Sequence, residues 1–373
     1  MLAFKAIVLP FALIAGLGAA YAGTGCIRSL AGFSDLYAGT LDGALPYAGL
    51  TVLEGSFYGT TSGGGAHDLG AVVAYTPGQG LGVLASFNGR NGRNPRSGLT
   101  LVNGTLYGTT VDGGAHGDGA LFAYTPAKGL RLLASFNGRN GKWPYAGLVV
   151  MDGVLYGTTA EGGSYGYGTI YAYVPGRGLQ LLASFDGRNG RNPRSRLTLV
   201  NGTLYGTTVD GGAHGDGALF AYTPAKGLRL LASFNGRNGK WPYAGLVVMD
   251  DVLYGATVEG GAHGDGTIYA YVPGQGIRLL ASFNGRNGKF PYAGLTAVDG
   301  TLYGAAFDGG SQDAGTIFAF TPGRNLRVLG VFDGRNGMGP HARLAAVDGA
   351  LYSTTVYGGT YDAGTVFACS LPD

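Results

Sequence analysis

Tyr58, Tyr107, Tyr156, Tyr205, Tyr254, Tyr303 and Tyr352 stand 49 residues apart, with no slippage over seven copies. Pro46, Pro95, Pro144, Pro193, Pro242, Pro291 and Pro340 keep the same register, so the segments between them have one length throughout. A unit of this size cannot bury its own apolar face and has to stack on its neighbours. In a chain of 373 residues the repeat runs almost end to end, which leaves one domain and no room for a second fold. The 74 glycines recur at fixed places in the unit, which marks them as turn residues rather than a sign of disorder. At 45% apolar and 12% aromatic, the chain has ample material for a core.

In the second copy, Leu99-Thr100-Leu101-Val102 reads as a short apolar strand ended by Asn103-Gly104, a pair suited to the positive φ angles of a tight hairpin. Glu54-Gly55, Asp152-Gly153, Asn201-Gly202, Asp299-Gly300 and Asp348-Gly349 occupy the same place, and Asp250-Asp251 departs from the pattern. Thr105 to Thr110 forms a second strand, and the Gly-rich stretch from Asp112 to Gly119 turns the chain into a third, Ala120 to Tyr124. Pro126-Ala127-Lys128-Gly129 then turns it into a fourth, Leu130 to Phe136, whose mostly apolar character predicts cover on both faces. No helical period occurs after the N-terminal apolar run. Four antiparallel strands in each of seven copies predict an all-β fold, a seven-bladed β-propeller. The alternative is a β-helix or open solenoid, whose parallel coils are shorter and need no hairpin in every copy.

The two ends are out of phase with the blades. Cys26 to Phe33 aligns with a fourth strand, and the C-terminal run Thr365 to Cys369 aligns with a third. One blade is therefore expected to combine three C-terminal strands with the N-terminal one, which closes the ring and removes two exposed sheet edges. The only two cysteines, Cys26 and Cys369, fall on those strands. A disulfide between them is predicted, two buried free thiols being the alternative.

The first residues carry Lys5, an apolar run from Ala6 to about Ala19, and the small-residue pattern Ala20-Tyr21-Ala22. This predicts a signal peptide over residues 1–22 and a mature propeller domain over 23–373. A retained membrane anchor is the alternative, against which stand the short run and its breaks at Pro10 and Gly16. Removing Lys5 takes the formal charge from +3 to +2, too near neutral to point to nucleic acid or an anionic membrane. The mature chain is expected to be a monomer, secreted or periplasmic, and not inserted in a membrane once the signal is removed.

In a propeller, the loops joining second to third strands share a face with those running from a fourth strand to the next blade. The inter-blade loop repeats Phe-[Asn/Asp]-Gly-Arg-Asn-Gly six times and so aligns Arg90, Arg139, Arg188, Arg237, Arg286 and Arg335. The seventh, after Phe33, reads Ser34-Asp35-Leu36-Tyr37. A partial ring of guanidinium groups suits bidentate binding of carboxylates or sulfates. The alternative is that Arg and Asn hydrogen-bond the loop backbone. Trp143 and Trp241 lie close by, with Phe290 at the matching position and Tyr145, Tyr243 and Tyr292 two residues on. Such aromatics could stack on apolar sugar faces or plug gaps between blades.

The other loop places His67, His116, His214 and His263 at equivalent positions, with Asp118, Asp216 and Asp265 two residues after the last three. Zinc needs three or four ligands converging within about 2 Å of the ion, and equivalent loops of neighbouring blades stand too far apart for that. No metal and no cofactor are expected. No nucleophile elbow, phosphate loop or acid pair stands out from the repeat. Residues 94–157 and 192–255 are nearly identical, differing at Gly98/Arg196 and Gly153/Asp251, with Thr158/Ala256 differing just beyond, which points to duplication of a two-blade unit.

The run Val154-Leu155-Tyr156-Gly157-Thr158-Thr159, followed by Gly168-Thr169-Ile170-Tyr171 and closed by Ser184-Phe185, resembles the Gloeo/Verruco (GloVer) repeat. The resemblance covers nearly the whole mature chain. It implies a bacterial exported repeat protein of a kind often carrying a C-terminal sorting anchor, here without an apolar tail, and with no assigned activity. The expected function is a binding or scaffold module whose partner is an extracellular glycan or protein. Candidate ligand-binding residues are the six register arginines, Trp143, Trp241, His116, His214 and His263. A propeller hydrolase or lyase acting on polysaccharide, with a His/Tyr/Arg cluster as acid and base, is the first alternative, and a structural surface protein without a small ligand is the second.

Overall fold

A computed structural model describes residues 25–34 and 42–372 and arranges them as seven antiparallel sheets. The predicted leader lies outside the described residues, as do Asp35, Leu36 and Tyr37 of the divergent loop. In the second blade the strands run from the axis outward as Thr100–Val102, Thr105–Thr110, Ala120–Thr125 and Gly129–Ser135. Asn103 and Gly104 hold φ of 47° and 73°, the geometry that lets a tight hairpin follow the strand twist. Asp250 and Asp251 adopt the same turn at φ of 49° and 61° without glycine's freedom.

Six blades repeat this order, and the seventh closes the ring as its phase predicts. Ala345–Val347, Ala350–Tyr357 and Thr365–Ser370 supply its first three strands, and Ile27–Gly32 pairs antiparallel with Thr365–Ser370 as the outermost. Met338–Pro340 adds a short strand beside the far end of Ala350–Tyr357. Cys26 and Cys369 form the predicted disulfide, with Cα atoms 4.6 Å apart across a sequence separation of 343.

The core is a ring of seven apolar clusters, each shared by two adjacent blades. At six of these interfaces the aromatic ring that ends one outer strand meets a ring of the next blade's third strand edge to face. Phe136 and Tyr171 are 4.9 Å apart, and Phe185 and Phe220 are 5.0 Å apart. Where the seventh blade meets the first, Phe33 packs on Val73, a smaller contact. Threonines add polar stitching between blades. Thr109 Oγ1 donates to the Pro144 carbonyl at 3.0 Å and Thr207 Oγ1 to that of Pro242 at 2.9 Å. Thr354 Oγ1 repeats the bond to Pro46 at 3.0 Å, so blade seven grips blade one as blades two and four grip their neighbours.

The outer strands differ from expectation. Leu132, Leu181, Leu230 and Leu279 are exposed, because outer strands lie at the circumference, where wedge-shaped blades diverge and one face loses its neighbour. Every outer strand also carries a register shift against the third strand, as between Leu121 and Phe122. A bulge of this kind increases local twist at an edge.

Tyr171 and Tyr269 are fully buried, yet their hydroxyls have no hydrogen-bond partner among the described residues. Phe122, Phe220, Phe318 and Phe367 occupy the same register position. An unsatisfied buried hydroxyl costs about 1–3 kcal/mol. Tyr171→Phe with Tyr269→Phe is therefore expected to raise the thermal midpoint by a few degrees. A calorimetric scan in which the double variant melts below wild type would contradict this.

Candidate binding site in the axial channel

Each inter-blade segment runs inward over one face and reaches the axis at the residue after its register proline. Halfway along, Leu45, Asn94, Trp143, Asn192, Trp241, Phe290 and Gly339 all take positive φ, from 55° to 65°. Two backbone bonds impose it. Trp143 N–H donates to the Asp118 carbonyl of the preceding blade at 3.0 Å, and its own carbonyl accepts from Ala160 N–H at 3.0 Å. Side chains other than glycine bear strain there of order 1–3 kcal/mol, and the seam between blades sustains it.

The predicted site residues divide on this geometry. Arg90, Arg139, Arg188, Arg237, Arg286 and Arg335 are exposed near the outer end of the segment, and their guanidinium groups bond no described residue. The asparagines alone brace that loop. Asn88 N–H donates to Asn91 Oδ1 at 2.8 Å and Asn91 N–H to Asn88 Oδ1 at 3.0 Å. Trp143 and Trp241 are half-buried, with Lys142 and Lys240 Nζ over their rings at 4.1 and 4.0 Å. His67, His116, His214 and His263 are exposed on separate loops. None of these side chains lines the axial channel.

The channel has a volume of about 780 Å³, and a collar of seven register-equivalent residues surrounds its mouth: Tyr47, Arg96, Tyr145, Arg194, Tyr243, Tyr292 and His341. Arg96 Cζ lies 4.4 Å from the Tyr47 ring centroid, and Arg194 Cζ lies 4.4 Å from Tyr145 and 5.5 Å from Tyr243. Tyr243 meets Tyr292 edge to face at 5.3 Å, Tyr292 stacks on His341 at 5.1 Å, and His341 meets Tyr47 at 5.3 Å. Asparagines aim both arginines. Arg96 Nε donates to Asn94 Oδ1 at 3.1 Å, and Asn94 Nδ2 in turn donates to Asp112 Oδ2 at 3.2 Å. Arg194 Nε donates to Asn192 Oδ1 at 2.9 Å. The outer nitrogens of both forks bond no described residue, so each guanidinium keeps two NH2 groups for a ligand.

Below the collar, Gly49, Gly98, Gly147, Gly245 and Gly294 line the wall, and the equivalent positions in the fourth and seventh blades are Arg196 and Arg343. Both guanidinium groups are enclosed by blades yet keep solvent-reachable surface in the lumen. Enclosure lowers both pKa values, and for Arg343 the charge of Arg196 adds to the effect. Solvent in the lumen tempers that desolvation, and both groups stay charged at neutral pH. Among the described residues, four arginines and no carboxylate line the channel.

Tyr47, Tyr243, Tyr292 and His341 are held in their neutral forms. Burial, helped by the neighbouring Tyr357 hydroxyl, pushes Tyr47 up to about 12. Burial also raises Tyr243 and Tyr292. His341 is pushed down to about 4, chiefly by desolvation and further by the Arg96 charge, against an opposing contact with the Tyr47 backbone. The folded imidazole thus holds its proton more weakly than the unfolded one, near 6.5. Its contribution to stability is complete above about pH 6.5 and is lost as pH falls towards 4. Thermal midpoints taken across that window are expected to fall more steeply for wild type than for His341→Gln, and parallel slopes would contradict the assignment.

The sequence profile of the Gloeobacter/Verrucomicrobia repeat matches residues 24–220 and again 200–373. The chain belongs to this repeat family. No curated protein matches the sequence. Among solved structures, the chain is similar to a protein from Bacteroides uniformis whose assignment as a 6-phosphogluconolactonase is itself provisional. The TM-score is 0.53 at 13% identity, covering 82% of this chain and 88% of the other. At that identity the likeness extends to the fold alone, so the family's repeat and the neighbour's ring agree on architecture while the collar residues belong to this chain.

Proposed function

We propose that this repeat propeller is a binding module for an acidic extracellular glycan, taken up at the mouth of the axial channel. The observation that carries this reading is the collar, in which phenol rings and an imidazole surround two arginine forks braced by asparagines. Aromatic rings stack on apolar sugar faces, and the planar guanidinium fork matches carboxylate or sulfate. The exposed rim arginines, from Arg90 to Arg335, extend the positive field outward and guide an anionic chain to the axis. Trp143 and Trp241, each with one ring face under a lysine, flank that approach. The disulfide and the repeat family support export to an oxidising compartment.

Binding is favoured over hydrolysis because glycoside cleavage ordinarily uses a pair of carboxyl groups flanking the scissile bond, and the described residues that line the channel include neither Asp nor Glu. An array of matched acidic and neutral glycans, followed by a reducing-end assay on every hit, tests the proposal. Retention of acidic members without product is expected. Equal retention of neutral members, or steady release of reducing ends, would overturn it.

A further inference from the structure

The seven inner-wall positions of the channel form the register Gly49, Gly98, Gly147, Arg196, Gly245, Gly294 and Arg343. Glycine is the rule there, and two blades nearly opposite on the ring break it with the same cation. Residues 94–157 and 192–255 are copies, so Arg196 stands where its own duplicate retains Gly98. The side chains fit one plan. Arg196 crosses the Gly147 wall and donates from Nε to the Leu148 carbonyl at 3.0 Å. Arg343 crosses the Gly294 wall and donates from Nε to Thr296 Oγ1 at 3.3 Å. In each, a Cβ added to the glycine would lie 3.6 Å from the arginine Cδ, ordinary contact distance, so the arginine stem packs directly along the glycine wall. Nε is used to aim the group, and the outer nitrogens bond no described residue.

Two like charges held towards one lumen, with no carboxylate among its lining residues, repel each other unless an anion lies between them. We infer that Arg196 and Arg343 form an oxyanion clamp inside the channel, taking a phosphate, sulfate or carboxylate group from both sides. The clamp sits below the collar and deepens the glycan reading, since an acidic substituent of a bound glycan would reach it. Its recognition chemistry is also met by a free inorganic oxyanion, so it can be tested without any sugar.

Thermal midpoints of the intact, oxidised protein are measured in sodium phosphate and in sodium chloride at equal ionic strength. Wild type is expected to melt higher in phosphate. Arg196→Gly with Arg343→Gly, which restores the residue found in the other five blades, is expected to lose that difference and to weaken phosphate binding by about tenfold or more. Arg196→Gln with Arg343→Gln guards against a change in backbone freedom and is expected to behave alike. If phosphate confers no advantage on wild type, or the same advantage on both double variants, the clamp is refuted, while glycan retention by the collar stands or falls separately. A sulfated oligosaccharide distinguishes the sources. Its loss along with phosphate places a glycan substituent in the clamp, and its persistence with phosphate lost leaves the clamp to a free oxyanion.

Discussion

Replacing Cys26 and Cys369 with serine is expected to lower the thermal midpoint by roughly 7–8 °C. The bond closes a loop of 343 residues' separation, and the entropy removed from the unfolded chain corresponds to about 5–6 kcal/mol. Unfolding entropy of about 2.1 cal/mol/K per residue turns that energy into the stated shift. The location gives the bond a second role. Ile27–Gly32 is held to the seventh blade by its pairing with Thr365–Ser370, and the ring that follows it, Phe33, packs among Ala71, Val73 and Val366 where other interfaces stack two aromatics. Release of this strand would leave Thr365–Ser370 as an unpaired edge, a template for association with other chains. Calorimetry with and without reductant, with light scattering alongside, measures both effects. Equal midpoints for the oxidised and reduced protein would contradict the account of closure.

Arg96→Ala with Arg194→Ala is expected to weaken acidic glycan binding by about 10²–10⁴-fold, since each side chain loses a charge-assisted contact worth roughly 1.5–3 kcal/mol. Neutral glycans should lose far less. The two side chains line the channel and their Nε bonds go to surface-segment asparagines, so the midpoint should move by no more than a degree or two. Arg90→Ala with Arg188→Ala serves as the matched control. It removes the same charge from the exposed rim and should alter affinity severalfold at most, with the difference vanishing at high salt. Isothermal titration with the strongest acidic glycan of the array separates the two pairs. Equal losses for collar and rim would move the site outward.

The architecture was legible because it rests on local rules repeated in phase. Asn/Asp-Gly pairs specify hairpins, register prolines and glycines place the crossings, and the offset of Cys26 and Cys369 from that phase specifies closure. Burial was less legible. The apolar outer strands suggested cover on both faces, but the divergence of blades with radius exposes Leu132, Leu181, Leu230 and Leu279, a property of the ring that no single copy contains. The collar was half visible. Tyr145, Tyr243 and Tyr292 drew attention as neighbours of the tryptophans, whereas Arg96, Arg194 and His341 at the same register did not.

The faithfully repeated arginines, from Arg90 to Arg335, attract notice because they are constant, yet constancy in a duplicated chain records copying and loop chemistry. A position facing the axis shows the opposite signal. Its backbone is identical in every blade while its side chain varies, as in Tyr, Arg, Tyr, Arg, Tyr, Tyr, His after the prolines and in the Gly-to-Arg changes two residues later. That variation was present in the sequence, but nothing local said that all seven side chains converge on one channel.

Arginine-selective modification by phenylglyoxal, read by peptide mass spectrometry with and without a saturating acidic glycan, tests the axial site most directly. Binding at the collar predicts protection of Arg96 and Arg194, with Arg90, Arg139, Arg188, Arg237, Arg286 and Arg335 modified at unchanged rates. Protection of the rim arginines while Arg96 and Arg194 remain reactive would contradict it.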